Sequence, residues 1–154
     1  MSDPDTDRGS FEAFVVRVEP RLRVALTAVF GPDTGRDATA EALAYGWEHW
    51  DRVSAMENPV GYLYRVGRSS QRRRKQRRWL PVPQQVMPLV EPGLPAALAS
   101  LSEKQRLAVV LVHADGWTRT EAAELMRVSV SALDTHLARG LERLRTQLGV
   151  ESHV

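Results

Sequence analysis

Apolar residues recur along most of this chain at intervals of three and four, the period of a helix with one buried face. FEAFVVRVEPRLRVALTAVFG (residues 11–31) reads as a helix kinked at Pro20, which removes one backbone bond and disfavours helical geometry at Glu19. RDATAEALAYGWEHWDRV (36–53) predicts a second helix. Its apolar stripe is Leu43, Trp47 and Trp50, with Ala40 on the same side and Asp37, Glu41, Tyr45 and Glu48 opposite. Asn58 and Pro59 have the residue types of an N-cap and a first helical position, so a third helix starts there. It places Val60, Leu63, Tyr64 and Gly67 on one face and Tyr62, Arg65, Ser69, Arg72 and Gln76 on the other. From 80 to 97, LPVPQQVMPLVEPGLPAA holds five Pro and one Gly, a spacing that no helix or strand survives, and reads as a linker.

Helical signals resume beyond it. Ser102 and Gln105 form a capping-box pattern at the start of LSEKQRLAVVLVHADGW, with Leu107, Val110 and Leu111 as the buried stripe. Thr118 and Glu121 repeat the box and open RTEAAELM, where Ala122, Leu125 and Met126 are apolar. After RVSV, Ser129 caps a long helix whose Leu133, Leu137, Leu141, Leu144 and Leu148 hold one face as far as Gly149. A short helix, a four-residue turn and a longer helix with polar early residues is the helix-turn-helix pattern, which a plain three-helix bundle can mimic. The expected fold is all-α: a disordered start at 1–9, a helical domain at 10–79, the Pro-rich linker at 80–97, a helix-turn-helix domain at 98–148 and a tail at 149–154.

Charge sharpens this picture. The net charge of +2 conceals eleven acids against six Arg in residues 1–57, then eight bases and no acid in residues 58–80. A run of like charge is usually a solvated tail. Here it continues a helix with a packed stripe, so an aromatic, two Arg and polar side chains share one anchored face that can follow a nucleic-acid backbone. The acidic side of the second helix is either solvated or a docking surface for a basic partner.

Composition excludes several classes of function. Zero cysteines rule out disulfides, thiolate metal sites and thiol redox sensing in this chain. No apolar run approaches the roughly 18 residues of a membrane span, and MSDPDTDRGS has neither the basic nor the apolar part of a signal peptide, so a cytoplasmic protein is expected. The four His lack metal-ligand spacing, and neither a Gly-rich phosphate loop nor a nucleophile motif occurs. No catalytic residue, metal or cofactor is expected; a small nuclease using Asp37 and Glu41 is the enzymatic alternative, which a divalent-metal-dependent cleavage assay decides.

NPVGYLYRVGRSSQRRRKQRR after AEALAYGWEHWDRV, followed by LASLSEKQRLAVVLVHADGWTRTEAAELMRVSVSALDTHLARGLERLR, resembles the extracytoplasmic-function group of bacterial RNA polymerase sigma factors, over roughly residues 10–148. The resemblance implies a first domain that docks on the beta-prime clamp helices of core RNA polymerase and opens the minus-ten promoter element. It implies a second that reads the minus-thirty-five element and meets the beta flap, with no catalytic site and with an anti-sigma factor as a further partner. Carried onto this sequence, docking falls to Asp37, Glu41, Tyr45 and Glu48. Minus-ten contacts fall to Arg52, Met56, Glu57, Asn58, Tyr62, Arg65, Ser69, Arg72 and Gln76. Of these, the loop DRVSAMEN (51–58) corresponds to the one that captures a flipped base, although Asn58 can equally serve as a cap. Minus-thirty-five contacts fall to Thr118, Arg119, Arg127, Ser129, Ser131, Asp134, Thr135, His136 and Arg139. The chain departs from the family pattern at Ala40, where Gln is frequent, and at Asp134 and His136, where bases are usual. Asp134 either accepts from a cytosine amino group or pairs with Arg139. A stand-alone helix-turn-helix regulator shares the second half and differs in not binding polymerase.

Overall fold

The computed structural model describes residues 3–75 and 93–149, and every regular element among them is helical. The chain divides into two compact units, one before and one after the junction at residues 78 and 79.

The first unit opens with α1 (Pro4–Phe30). Residues expected to be disordered are helical from Pro4 onward. Asp3 is the N-cap, its carboxylate accepting from the Asp5 N–H at 3.2 Å, Pro4 occupies a position whose N–H is not needed, and Asp5 and Asp7 complement the positive end of the helix dipole. The helix continues through Pro20 as one element. Gly31, at φ +88, turns the chain directly into α2 (Pro32–Glu48), which begins and ends earlier than the apolar pattern predicts. His49 interrupts the helix at φ −120, and a single turn, α3 (Trp50–Val53), follows. α4 spans Pro59–Lys75.

The core of this unit is Phe14, Val18, Leu22, Ala25, Leu26 and Phe30 of α1 against Trp50, Val53, Leu63 and Tyr64. Each fully buried Leu among them contributes roughly 1.5–3 kcal/mol of transfer free energy. The face that α2 buries differs from the expected stripe. Gly35, Ala38, Thr39, Ala42 and Gly46 pack inward, while Ala40 is exposed, Leu43 is half-buried and Trp47 keeps 46% of its surface in solvent; of the expected stripe only Trp50, on α3, is buried. Close approach explains the difference. A Cβ on Gly35 would lie 2.5 Å from the Cα of Thr27, and one on Gly67 of α4 would lie 2.9 Å from the carbonyl O of Ala38. Helices this near to one another leave no room for Leu or Trp between them.

In the second unit, residues expected to end the linker form α5 (Leu94–Ser100). Pro95 sits in the first turn, where its missing N–H breaks no helical bond. α6 (Glu103–Val109) starts with the expected capping box and extends as a π-helical turn over Val110–Ala114. α7 (Arg119–Met126) has the second capping box, and Arg127 closes it at φ +54. Ser129 caps α8 (Val130–Leu148) by accepting from the Ala132 N–H at 3.0 Å. Leu107, Leu111, Trp117, Ala122, Leu125, Leu133, Leu137 and Leu144 bury one another between these helices. The Trp117 indole N–H donates to Asp115 Oδ2 at 2.8 Å, which satisfies the polar end of a buried ring.

Candidate nucleic-acid interface

α4 is held by Leu63, Tyr64, Gly67 and Gln71, all buried, with Val60 half-buried beside them. Tyr62, Arg65, Ser69 and Arg72 therefore reach the opposite side, with Ser69 and Arg72 exposed and Tyr62 and Arg65 half-buried. Gln76 lies outside the described residues, as do Arg77 and Arg78 and the linker from 80 to 92.

The loop between α3 and α4 is stiffened at both ends. Asn58 Oδ1 accepts from the Gly61 N–H at 3.1 Å, the bond of a helix cap, while its backbone carbonyl accepts from the Tyr62 N–H at 3.2 Å. At the other end Arg52 donates from Nη2 to the Tyr45 hydroxyl at 2.5 Å and to the Tyr62 hydroxyl at 3.2 Å. The two tyrosine oxygens are themselves 3.1 Å apart. Hydrogen bonding from Tyr45 and partial burial raise the Tyr62 pKa, outweighing the opposite pull of the Arg52 charge, so its hydroxyl stays protonated. Met56 is half-buried and Glu57 is exposed. A cavity of about 300 Å³ opens beside this loop, lined by Ser10, Phe14, Arg17, Trp50, Ser54 and Pro59 among others.

The acidic side of α2 is divided by its neighbours. Asp37 and Glu48 are exposed. Glu41 accepts a hydrogen bond from the Ser70 hydroxyl of α4, and Tyr45 is engaged with Arg52 and Tyr62. Sequence reasoning missed Ser70 because its partner lies on another helix, 29 residues away.

On the second unit, Leu133 and Leu137 face inward, which turns Ser131, Thr135 and Arg139 to solvent along one side of α8, with Asp134 and His136 half-buried. Thr118, Arg119, Arg127 and Ser129 are exposed at the adjoining end of α7 and in the turn. Asp134 pairs with Arg119, Oδ1 to Nε at 3.4 Å, in place of the expected Arg139. The turn brings the start of α7 against α8. Burial, then Lys104 and Arg139, lower the His136 pKa below its ordinary 6.5, so the ring is neutral at physiological pH. Lys104, in the first turn of α6, is a charge near this face that the helix-turn-helix pattern did not flag.

Among the described residues no group of three or more His, Cys, Asp or Glu is placed to hold a metal ion, and no helix is long and apolar enough to cross a membrane.

Residues 93–144 match the family model for sigma-70, region 4. The fold is similar to that of the sigma factor RpoE from Bartonella quintana, solved in complex with the anti-sigma factor NepR. The match has a TM-score of 0.69 at 22% identity and covers 92% of this chain and 98% of that one. No curated protein matches the sequence.

Proposed function

We propose, from the match of residues 93–144 to sigma-70 region 4 and the likeness of the fold to a sigma factor, that the chain is an extracytoplasmic-function sigma factor acting in the cytoplasm. It binds core RNA polymerase, opens the minus-ten element with its first unit and reads the minus-thirty-five element with its second. The observation that carries this reading is the order of parts: a region 4 match at 93–144 follows a helical unit whose last helix presents Tyr62, Arg65, Ser69 and Arg72 away from its packed stripe.

The division of labour follows from the chemistry of each surface. Exposed Arg72 and the partly exposed Arg65 attract backbone phosphate, and the Ser54–Asn58 loop has stems fixed enough to receive an extruded base, a step that costs a few kcal/mol. Asp37 and Glu48 offer carboxylates to a basic polymerase surface. Ser131, Thr135 and Arg139 have the donor and acceptor groups that major-groove base edges require. Core polymerase and promoter DNA are the partners this reading needs. An anti-sigma factor is a third, as for the similar RpoE.

The test is capture of core RNA polymerase by the purified chain, followed by selection of duplexes from a randomised library and run-off transcription from those recovered. Transcripts that depend on the chain support the reading. Operator binding without polymerase capture would instead make the protein a stand-alone regulator.

A further inference from the structure

Arg52 precedes the Ser54–Asn58 loop and Tyr62 follows it, so the two residues are its stems. Both are tied to one atom of a third element, the Tyr45 hydroxyl of α2, which accepts from Arg52 and lies within hydrogen-bond distance of the Tyr62 hydroxyl. The Arg52 guanidinium also stands 6.0 Å from the centre of the Tyr62 ring. Tyr45 is itself fixed. Its ring stacks on His49 with centroids 4.1 Å apart and planes 20° from parallel, and His49 Nδ1 is 3.1 Å from the Tyr45 carbonyl O.

We propose that Tyr45 is a positioning residue for promoter opening, clasping the two stems of the loop through its hydroxyl so that Arg52 and the Tyr62 ring are presented together to the unpaired strand. This rests on the sigma-factor reading and moves Tyr45 from the polymerase-docking surface to the DNA-facing one. The chemistry is specific. An extruded nucleotide offers a π-face and a phosphate, and the clasp holds a guanidinium over an aromatic ring, the two groups that can meet them. Tyr62, a phenol neutral at physiological pH whose pKa the Tyr45 bond raises further, adds no negative charge where phosphate must approach. A loop whose stems are already joined loses less conformational freedom when the base enters. Tyr45 is half-buried and Arg52 exposed, so the clasp contributes order to the loop more than stability to the fold.

Tyr45→Phe removes the hydroxyl and keeps the ring on His49. Holoenzymes of the wild type, Tyr45→Phe, Tyr62→Phe and the double variant are compared on a duplex that wild-type holoenzyme selects from a randomised library. Three quantities are read: affinity for core polymerase, affinity for the closed duplex, and the rate at which thymines become permanganate-reactive. Tyr45→Phe should leave both affinities within twofold and slow opening about fivefold, the scale of one net hydrogen bond. The double variant should be no slower than the slower single, because the hydroxyls act as a unit. Unchanged opening, weakened core binding, or single effects that multiply in the double variant would each overturn the proposal while the wild type still transcribes. If the wild type selects no duplex and yields no transcript, the sigma-factor reading fails and the clasp with it.

Discussion

Gly67→Ala should weaken the first unit, whereas the same change at Gly9 should strengthen it. Both residues lie inside helices, where exchanging Gly for Ala recovers about 0.5–1 kcal/mol of backbone entropy. At Gly9 nothing lies within 4 Å of the new methyl, so that gain stands alone. At Gly67 the methyl would meet the Ala38 carbonyl O at 2.9 Å, Leu26 Cδ1 at 3.0 Å and Ala42 Cβ at 3.4 Å. The first is backbone of α2, and Leu26 is fully buried, so neither yields freely. Overpacking of this kind costs about 1–3 kcal/mol, which leaves a net loss on the order of 1 kcal/mol. Native-state amide exchange in α2 and α4 reports this unit directly, and protection there should fall roughly fivefold for Gly67→Ala and rise for Gly9→Ala. If protection rises for both, α2 and α4 do not approach as closely as their glycines and alanines indicate, and the reasoning is wrong.

Four further outcomes are expected. Asp37→Lys with Glu48→Lys should weaken capture of core polymerase without altering thermal melting; Glu41 is left intact because Ser70 donates to it. Arg72→Ala should reduce the salt slope of log affinity for duplex DNA by about 0.9, with sequence preference unchanged, as measured by titration across salt concentration. Asp134→Ala should change the stability of the second unit by no more than about 1 kcal/mol in chemical denaturation, since both partners in the Arg119 pair are substantially exposed. His136 should titrate below 6.5 by NMR. Because the folded state resists its protonation, second-unit stability should be unaffected above that pH and decline as pH falls below it, a dependence that His136→Gln removes.

Helix starts were the most legible features because capping is local chemistry. The boxes at Ser102 with Gln105 and Thr118 with Glu121, and the caps at Ser129 and Asn58, stand where residue types alone place them. The buried faces of α4 and α8 followed from large apolar residues at helical spacing. α2 did not, because its inward face is chosen by size: Gly35, Ala38, Ala42 and Gly46 carry little hydrophobic signal, while Leu43 and Trp47 mimic a core stripe. Proline misled at the linker, since Pro95 sits in a first turn and starts a helix there, and the start expected to be disordered holds a capped first turn at Asp3 and Pro4. At the site, residue types were readable but pairings were not. Tyr45 meets Tyr62 across 17 residues, and Arg119 reaches Asp134 only because the turn folds α7 back on α8.

The small-residue seat of α2 separates two kinds of constraint. In most helices of a small domain, bulky residues hold the fold together, so a change in what the surface binds risks the core beneath it. Here the inward positions admit only small side chains, and the larger groups flank them: half-buried Leu43 and the exposed Trp47, whose ring is 5.1 Å from that of Phe11, on one side, and half-buried Tyr45 on the other. Mutation at the exposed Asp37, Ala40 and Glu48 can therefore remodel the surface with little effect on folding, while enlargement at Gly35, Ala38, Ala42 or Gly46 is held back by geometry. A single helix thus combines a seat that geometry restricts to small residues with an exterior that is free to change, so what it binds can alter while the packing beneath it stays the same.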